Sequence, residues 1–147
     1  MTQLNLSIDR NNLEEEWITQ PEAYYHWAKR AADAQLEYDR SKANLDVVRA
    51  EVDRAVRDGP MSFGIGKLTE TAVSNAVLST TAYKEAYEEL NLAKHALQIA
   101  QAAVNALEHK KRALTMLVEL WIRSYYADPQ AKSEVPEEWG KKRIRQS

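Results

Sequence analysis

At 147 residues, the chain is long enough for one domain with a sizeable core. Its 20 basic and 22 acidic residues nearly cancel, which excludes a strong overall affinity for nucleic acid or membranes and leaves only local clusters. Because the chain has no cysteine, disulfides and thiolate metal sites are excluded as well. The N-terminal stretch lacks a signal-peptide pattern, and no run approaches the ~18 apolar residues of a transmembrane helix. We therefore expect a soluble, cytoplasmic protein.

Glycine and proline, which interrupt regular structure, are rare and clustered. The chain has four of each, and three glycines lie close together at Gly59, Gly64 and Gly66. The long stretches on either side contain neither residue, and few compact β folds could be turned with so few breakers. The pattern predicts an all-α fold.

The first predicted helix follows an N-terminal arm, residues 1–19. Thr19 and Glu22 have the spacing of a capping box, and Pro21 would lie in the first turn, where its missing N–H costs nothing. Apolar and small residues then alternate at spacings of three and four, the pattern of a coiled-coil seam, up to "RDGP". We expect this helix over residues 20–57. The seam consists of Tyr24, Trp27, Ala31, Ala34, Tyr38, Ser41, Leu45, Val48, Val52 and Ala55.

A loop and a short helix near Thr69 are predicted to connect this helix to a second long one. Residues Ser79 to Thr81 offer a new N-cap, which predicts a break and assigns residues 58–80 to the connection. A continuous helix from residue 69 also fits, because Ala72 and Ala76 keep the seam spacing.

The second long helix is predicted over residues 81–126. Only Lys111 interrupts its seam, which consists of Tyr83, Ala86, Leu90, Ala93, Leu97, Ala100, Val104, Leu107, Lys111, Leu114, Val118, Trp121 and Tyr125. Residues 127–147 are predicted to form a flexible basic tail with one tryptophan, Trp139, and the cations Lys141, Lys142, Arg143 and Arg145.

Two long helices joined by a compact connection predict a coiled-coil-like antiparallel hairpin over residues 20–126. The second helix carries a further apolar stripe that one partner helix cannot cover, which predicts assembly into an oligomer. In the alternative interpretation, the short helix and the N-terminal arm fold over this stripe. The residues predicted to form the oligomer interface are Leu92, Ala96, Ile99, Ala103, Ala106, Ala113 and Leu117.

Residue patterns typical of catalysis or metal binding are missing from the sequence. The three histidines, His26, His95 and His109, do not have the spacing of metal ligands. The stretch from Gly64 to Lys67 lacks the spacing of a phosphate-binding loop. We expect a protein that is not an enzyme and that has no catalytic residue, metal site or cofactor.

Local clusters of positive charge are the remaining indication of function. Arg49, Arg54 and Arg57 gather near the end of the first helix, with Lys67 in the loop. Basic residues also stabilise helix C-termini, which is the competing interpretation for Arg54 and Arg57.

The second cluster, Lys110, Lys111 and Arg112, lies in the middle of the second long helix. A hairpin that turns between residues 58 and 81 would place it opposite Lys29 and Arg30, whereas a second helix from residue 69 would place it opposite the acidic residues 14–16. Repeated around an oligomer, such lysines would create a basic ring, although a structural role for them fits equally well.

The stretches "YYHWAKRAADAQLEYDRSKANLDVVRAEVDRAVRDG" and "SNAVLSTTAYKEAYEELNLAKHALQIAQAAVNALEHKKRAL" resemble the UvsY-type recombination mediators of phages. The shared features are an aromatic helix start, a basic helix end before a glycine-containing loop, "VLS" before the long helix, and "A-L" followed by "K-x-R". The resemblance covers residues 24–115. It implies closed rings of six or seven subunits that act in DNA recombination and repair in the infected bacterial cell.

Proteins of that family bind single-stranded DNA without sequence preference and help to load a RecA-like recombinase onto DNA coated by single-strand-binding protein. The resemblance carries the family's DNA contacts over to Arg54 and Arg57, although "DRAVRDG" departs from the family's lysine–arginine pair. The competing hypothesis is a structural or assembly protein, such as a phage scaffold or adaptor, that does not bind nucleic acid.

Overall fold

The computed structural model describes residues 3–127, and all regular structure in that range is helical. Helix α1 spans Leu13–Asp58, α2 spans Glu70–Ser79 and α3 spans Thr81–Ala127, with a 3-10 helix at Pro60–Phe63 between α1 and α2. The predicted all-α class is therefore confirmed for the described residues. The predicted tail lies outside them, apart from Ala127.

The start of α1 at Leu13 corrects the predicted start at residue 20. Three glutamates, residues 14–16, lie in its first turn, where the helix dipole favours negative charge. The Thr19 hydroxyl does not cap a helix end, because it donates a hydrogen bond to the Glu15 carbonyl at 2.9 Å. The acidic first turn, and not the capping-box motif, marks the N-terminus.

Pro21 consequently lies inside α1. It cannot donate the hydrogen bond that the Trp17 carbonyl would accept in an uninterrupted helix, a defect that typically costs ~3 kcal/mol in a helix interior. The neighbouring Gln20 is buried, and its Nε2 donates to the Leu107 carbonyl of α3 at 2.7 Å. This contact joins α1 to α3 next to the defect.

The described chain divides into two compact units. The terminal unit consists of residues 3–27 and 102–127, so it combines the N-terminal arm, the start of α1 and the second half of α3. The middle unit consists of residues 28–101, with the rest of α1, the connection, α2 and the first half of α3.

The core of the middle unit lies where the chain reverses direction. It is formed by the buried residues Val56, Ile65, Val73 and Val77, against which Val52, Ala72, Ala76 and Tyr83 pack. Gly64 ends the 3-10 helix with φ at 72°, a left-handed conformation that glycine adopts without a steric penalty. This turn brings Ile65 into the core, where its N–H donates to the Pro60 carbonyl at 3.0 Å.

Helix α2 starts and ends at side-chain caps. The Thr69 hydroxyl accepts a hydrogen bond from the Ala72 N–H at 3.2 Å, as expected for an N-cap. At the other end Thr80 is extended, with ψ at 146°, and its hydroxyl donates to the Val77 carbonyl of α2 at 2.7 Å. The same hydroxyl accepts from the Tyr83 N–H in the first turn of α3 at 3.4 Å. The predicted break is present, and the alternative of one continuous helix from residue 69 is wrong.

The predicted seam of α3 is largely buried, as shown by Ala86, Leu97, Ala100, Leu107 and Leu114. Among the described residues of the seam, Lys111 and Trp121 are the exceptions, because both are exposed. Within the described residues, no helix is both long and apolar enough to cross a membrane.

Candidate nucleic-acid and oligomer interfaces

Arg57, a predicted DNA contact, already has carboxylate partners within the middle unit. Its Nη1 and Nη2 donate to the two oxygens of Glu70 at 2.9 and 2.7 Å, and its Nε donates to Asp53 at 2.7 Å. The hydrogen bonds to Glu70, and then those to Asp53, raise the pKa of the Arg57 guanidinium, and Arg57 in turn lowers the pKa of Glu70. Arg57 therefore fastens the first turn of α2 to the end of α1, and a phosphate would have to displace a carboxylate.

The other predicted cations of this cluster are available. The Arg54 side chain is 86% exposed and lies 3.9 Å from Asp58, at the outer limit of an ion pair. Arg49 and Lys67 are exposed, and neither forms an ion pair with a carboxylate of the described residues. Three of the four cations predicted near the end of the first helix can therefore accept a phosphate contact.

Lys110 is the most enclosed cation of the terminal unit, with a side chain only 8% exposed. Its Nζ lies 2.7 Å from Glu16, whose side chain is 15% exposed, and donates to the Asn5 carbonyl at 3.3 Å. The second oxygen of Glu16 accepts from the Asp9 N–H at 3.0 Å. The hydrogen bond from Lys110, followed by the one from Asp9, lowers the pKa of Glu16. Lys110 is thus neutralised within the chain.

The contact between Lys110 and Glu16 decides between the two registers that the sequence left open. A hairpin that turns between residues 58 and 81 was expected to place this cluster opposite Lys29 and Arg30. The chain instead turns back before residue 70, because α2 already packs against the last turns of α1. The acidic neighbours that were expected only for a helix starting at residue 69 are therefore present, although α3 begins at Thr81.

Lys111 and Arg112, the other members of this cluster, are exposed and form no ion pair with the carboxylates that the structure describes. Lys111 lies between Leu107 and Leu114, which are 1% and 0% exposed. Lys110, and not Lys111, lies against the N-terminal arm. Lys111, which interrupts the predicted seam, therefore remains in contact with solvent.

The predicted oligomer interface is only partly accessible. Leu92 and Ile99 are 61% and 56% exposed, and Ala96 and Ala113 are also exposed, whereas Ala106 and Leu117 are half-buried. Ala103 is buried within the chain, so its assignment to an oligomer interface is wrong. The alternative, in which the short helix and the N-terminal arm fold over the stripe, holds only in part: the arm contacts Lys110, whereas Leu92, Ala96 and Ile99 remain exposed.

A second apolar surface lies on α1, and the sequence analysis did not identify it. Ile18, Tyr25, Leu36 and Val47 are all at least half exposed. They follow one another at spacings of seven and eleven residues, which keep side chains near one face of an α-helix. A search for periods longer than three or four could have found this stripe.

Polar contacts between α1 and α3 were also missed. The Tyr24 hydroxyl donates to Glu108 at 3.2 Å, and this hydrogen bond raises the pKa of Tyr24. Like the contact of Gln20 with the Leu107 carbonyl, it joins residues more than 80 positions apart in the sequence. No local pattern indicates such a pair, because both depend on the register of the two helices.

In the described part of the chain, no group of three His, Asp or Glu side chains is placed to hold a metal ion. Comparison of the chain with protein-family models, curated proteins and solved structures gave no match. The resemblance to UvsY-type mediators therefore stays a prediction that rests on the residues quoted for it.

Proposed function

We propose that the protein self-associates and that its oligomer binds single-stranded DNA without catalysing a reaction. In this proposal α1 and α3 form one antiparallel helical hairpin, and neighbouring copies meet along the exposed apolar surface of α3. The observation that carries the proposal is the coexistence of this surface with a set of unpaired cations in the same chain.

Self-association is supported by the exposure of Leu92, Ala96 and Ile99. They lie on one stripe of α3, and the hydrophobic effect favours removing such a surface from water. Alanine in the middle of the stripe would let the backbones of two helices approach closely.

DNA binding is supported by the cations without carboxylate partners among the described residues. Arg49, Lys67, Lys111 and Arg112 are exposed and unpaired in this sense, and Arg54 is only loosely paired. Affinity for DNA grows with the number of phosphates that are neutralised together, so repetition in an oligomer would compensate for the near-zero net charge of the chain. Such contacts go to the phosphate backbone and carry no sequence preference.

The biological role that follows from the resemblance is recombination mediation. An oligomer that holds single-stranded DNA on repeated cations would present it to a RecA-like recombinase in the presence of single-strand-binding protein. A loading experiment with both proteins tests this role.

The DNA-binding part can be tested by titrating a fluorescent single-stranded oligonucleotide and measuring its anisotropy at several salt concentrations. We expect the combined variant Arg49→Ala, Arg54→Ala and Lys67→Ala to bind more weakly. Its dependence on salt should flatten by about 0.7 in the log–log slope for each phosphate contact that is lost. Lys42→Ala, which removes an exposed lysine of α1 outside this cluster, serves as the control. An unchanged slope in the triple variant would exclude this cluster as the DNA site.

The second candidate is an assembly protein that does not bind nucleic acid. It is favoured by the neutralisation of Arg57 and Lys110, because two of the seven predicted DNA contacts serve packing within the chain. For this candidate, light scattering would give a multiple of the chain mass, while the oligonucleotide anisotropy would stay constant at low salt.

A further inference from the structure

A second exposed seam runs along the part of α3 that belongs to the terminal unit. Its members are His109, Ala113, Met116 and Leu120, at spacings of four, three and four. All four are exposed, and Met116 and Leu120 are 57% and 56% exposed. This spacing is that of residues that interlock between two helices of a coiled coil.

One edge of this seam carries four exposed charges in alternating order: Glu108, Arg112, Glu119 and Arg123. Their spacings of four, seven and four keep them on one side of the helix. An antiparallel second copy presents the same four charges in reverse order, so each acidic residue of one helix faces a basic residue of the other. The edge is therefore complementary to itself in an antiparallel arrangement.

We propose that this face pairs with the same face of a second copy, antiparallel, around a two-fold axis near residue 115. The inference rests on the self-association proposed above and adds a second contact between copies, on a face of α3 other than that of Leu92, Ala96 and Ile99. Arg112 of each copy faces Glu119 of the other, and Glu108 faces Arg123. The apolar seam is buried between the two helices.

The order of the charges argues for a second copy in this orientation. A parallel pair would bring this edge against the opposite edge of the seam, which carries Lys110 and Leu117, so Arg112 and Glu119 would have no opposite charge to meet. A two-fold interface requires a surface that is complementary to itself, and the edge has this property. Tyr24 binds only one of the two oxygens of Glu108, so the carboxylate can accept a further hydrogen bond.

The neighbouring cations are compatible with the pairing. Lys110, on the far side of the seam, is neutralised by Glu16, so it adds no repulsion between copies. In this arrangement Arg112 belongs to the protein interface, which leaves Arg49, Arg54, Lys67 and Lys111 for DNA.

The first experiment exchanges charges. Residues 112 and 119 face each other in the proposed pair, so Arg112→Glu makes both positions acidic and Glu119→Arg makes both basic. Each variant alone should associate about tenfold more weakly, because repulsion replaces two ion pairs in the dimer. An equimolar mixture of the two variants should recover the wild-type association, because every central contact then joins opposite charges. Sedimentation velocity measures the association, and a tag on one variant shows whether both are present in one complex.

The second experiment distinguishes a two-fold contact from a head-to-tail contact. Since the chain has no cysteine, Met116→Cys introduces a single thiol near the proposed axis. A short bis-maleimide should link it to the same residue of the second copy and yield only dimers in a denaturing gel. Asn105→Cys is the matched control, exposed on the same helix, because the two copies of residue 105 would lie roughly 30 Å apart at 1.5 Å per residue.

The outcomes separate this inference from the proposed function. The two-fold pairing would be overturned, with self-association intact, if Arg112→Glu and Glu119→Arg associated as strongly as the wild type. Equal cross-linking of the cysteines at residues 105 and 116 would have the same meaning. A monomeric wild-type chain would overturn both. Recovery in the mixture together with dimer-only linking at residue 116 would establish the pairing.

Discussion

Lys110 determines how much positive charge the middle of α3 presents to solvent. Its amine is held between Glu16 and the Asn5 carbonyl, and the Asp9 N–H holds the second oxygen of the same glutamate. Lys111, one position further, is exposed. Two adjacent lysines therefore differ in role: one closes the packing of the N-terminal arm, and the other is available to a ligand.

We expect Lys110→Met to lower the free energy of unfolding by about 1–3 kcal/mol at neutral pH, because the largely enclosed Glu16 carboxylate is then left without its cation. Lys111→Met, the adjacent exposed control, should change it by less than about 0.5 kcal/mol. Urea unfolding followed by circular dichroism measures both. Equal effects in the two variants would contradict the assigned difference between the lysines.

The same pair predicts a dependence on pH. The folded state lowers the pKa of Glu16 below its ordinary value of 4.5, so the pair stabilises the protein above that pH and loses its effect as the pH falls through the lowered pKa. Wild-type protein should therefore lose more stability on acidification than Lys110→Met. Parallel acid limbs in the two proteins would show that Glu16 and Lys110 are not coupled.

At the scale of elements, the connection between α1 and α3 depends on one backbone conformation. Gly64 has φ at 72°, whereas Gly66 has no positive φ and has open space where a Cβ would lie. The turn at Gly64 is what carries Ile65 into the core with Val56, Val73 and Val77. Helix α2 is thus held by a turn, a small core and the ion pair between Arg57 and Glu70.

Gly64→Ala should destabilise the protein by roughly 1–2 kcal/mol, because an alanine resists the left-handed conformation. Gly66→Ala is the matched control, and we expect it to be neutral or slightly stabilising, since alanine restricts the unfolded chain. Thermal unfolding of both variants tests this, and a larger loss at Gly66 would show that the turn is not at Gly64.

The helices differ in how well local sequence patterns predict their boundaries and buried faces. The heptad spacing from Ala86 to Leu114 predicted the buried side of α3, because burial of one helix face imposes a local period. The capping-box motif at Thr19 misplaced the start of α1, since an equally local signal, the three glutamates at residues 14–16, lay upstream. The partner of Gln20 was not predicted, and the acidic partner of Lys110 was predicted only in one of two registers, because both contacts depend on how the two long helices are aligned.

At the scale of the whole molecule, exposed apolar residues occur on both long helices. Leu92 and Ile99 lie on α3, and Tyr25 and Leu36 lie on α1. The described residues of one chain do not bury these surfaces, and their removal from water favours association of several copies.

We expect light scattering to give a mass several times the 16.8 kDa of one chain. Leu92→Glu combined with Ile99→Glu should reduce this mass with helical content preserved, because charge would enter a buried contact between copies. Gln98→Glu adds the same charge at an exposed position of the same helix outside the stripe, and it should leave the mass unchanged. A monomeric wild-type protein at micromolar concentration would contradict the proposed association.

The attachment of the N-terminal arm to Lys110 has a practical consequence for every binding measurement on this protein. Asn5 and Asp9, which help to hold the Lys110–Glu16 pair, lie within the first nine residues of the chain. Removal of these residues, or a tag that displaces them, would loosen a cation that the intact chain keeps occupied. A protein that lacks these residues would then bind an oligonucleotide through Lys110, so DNA-binding assays should use a chain in which residues 5–9 are present and unobstructed.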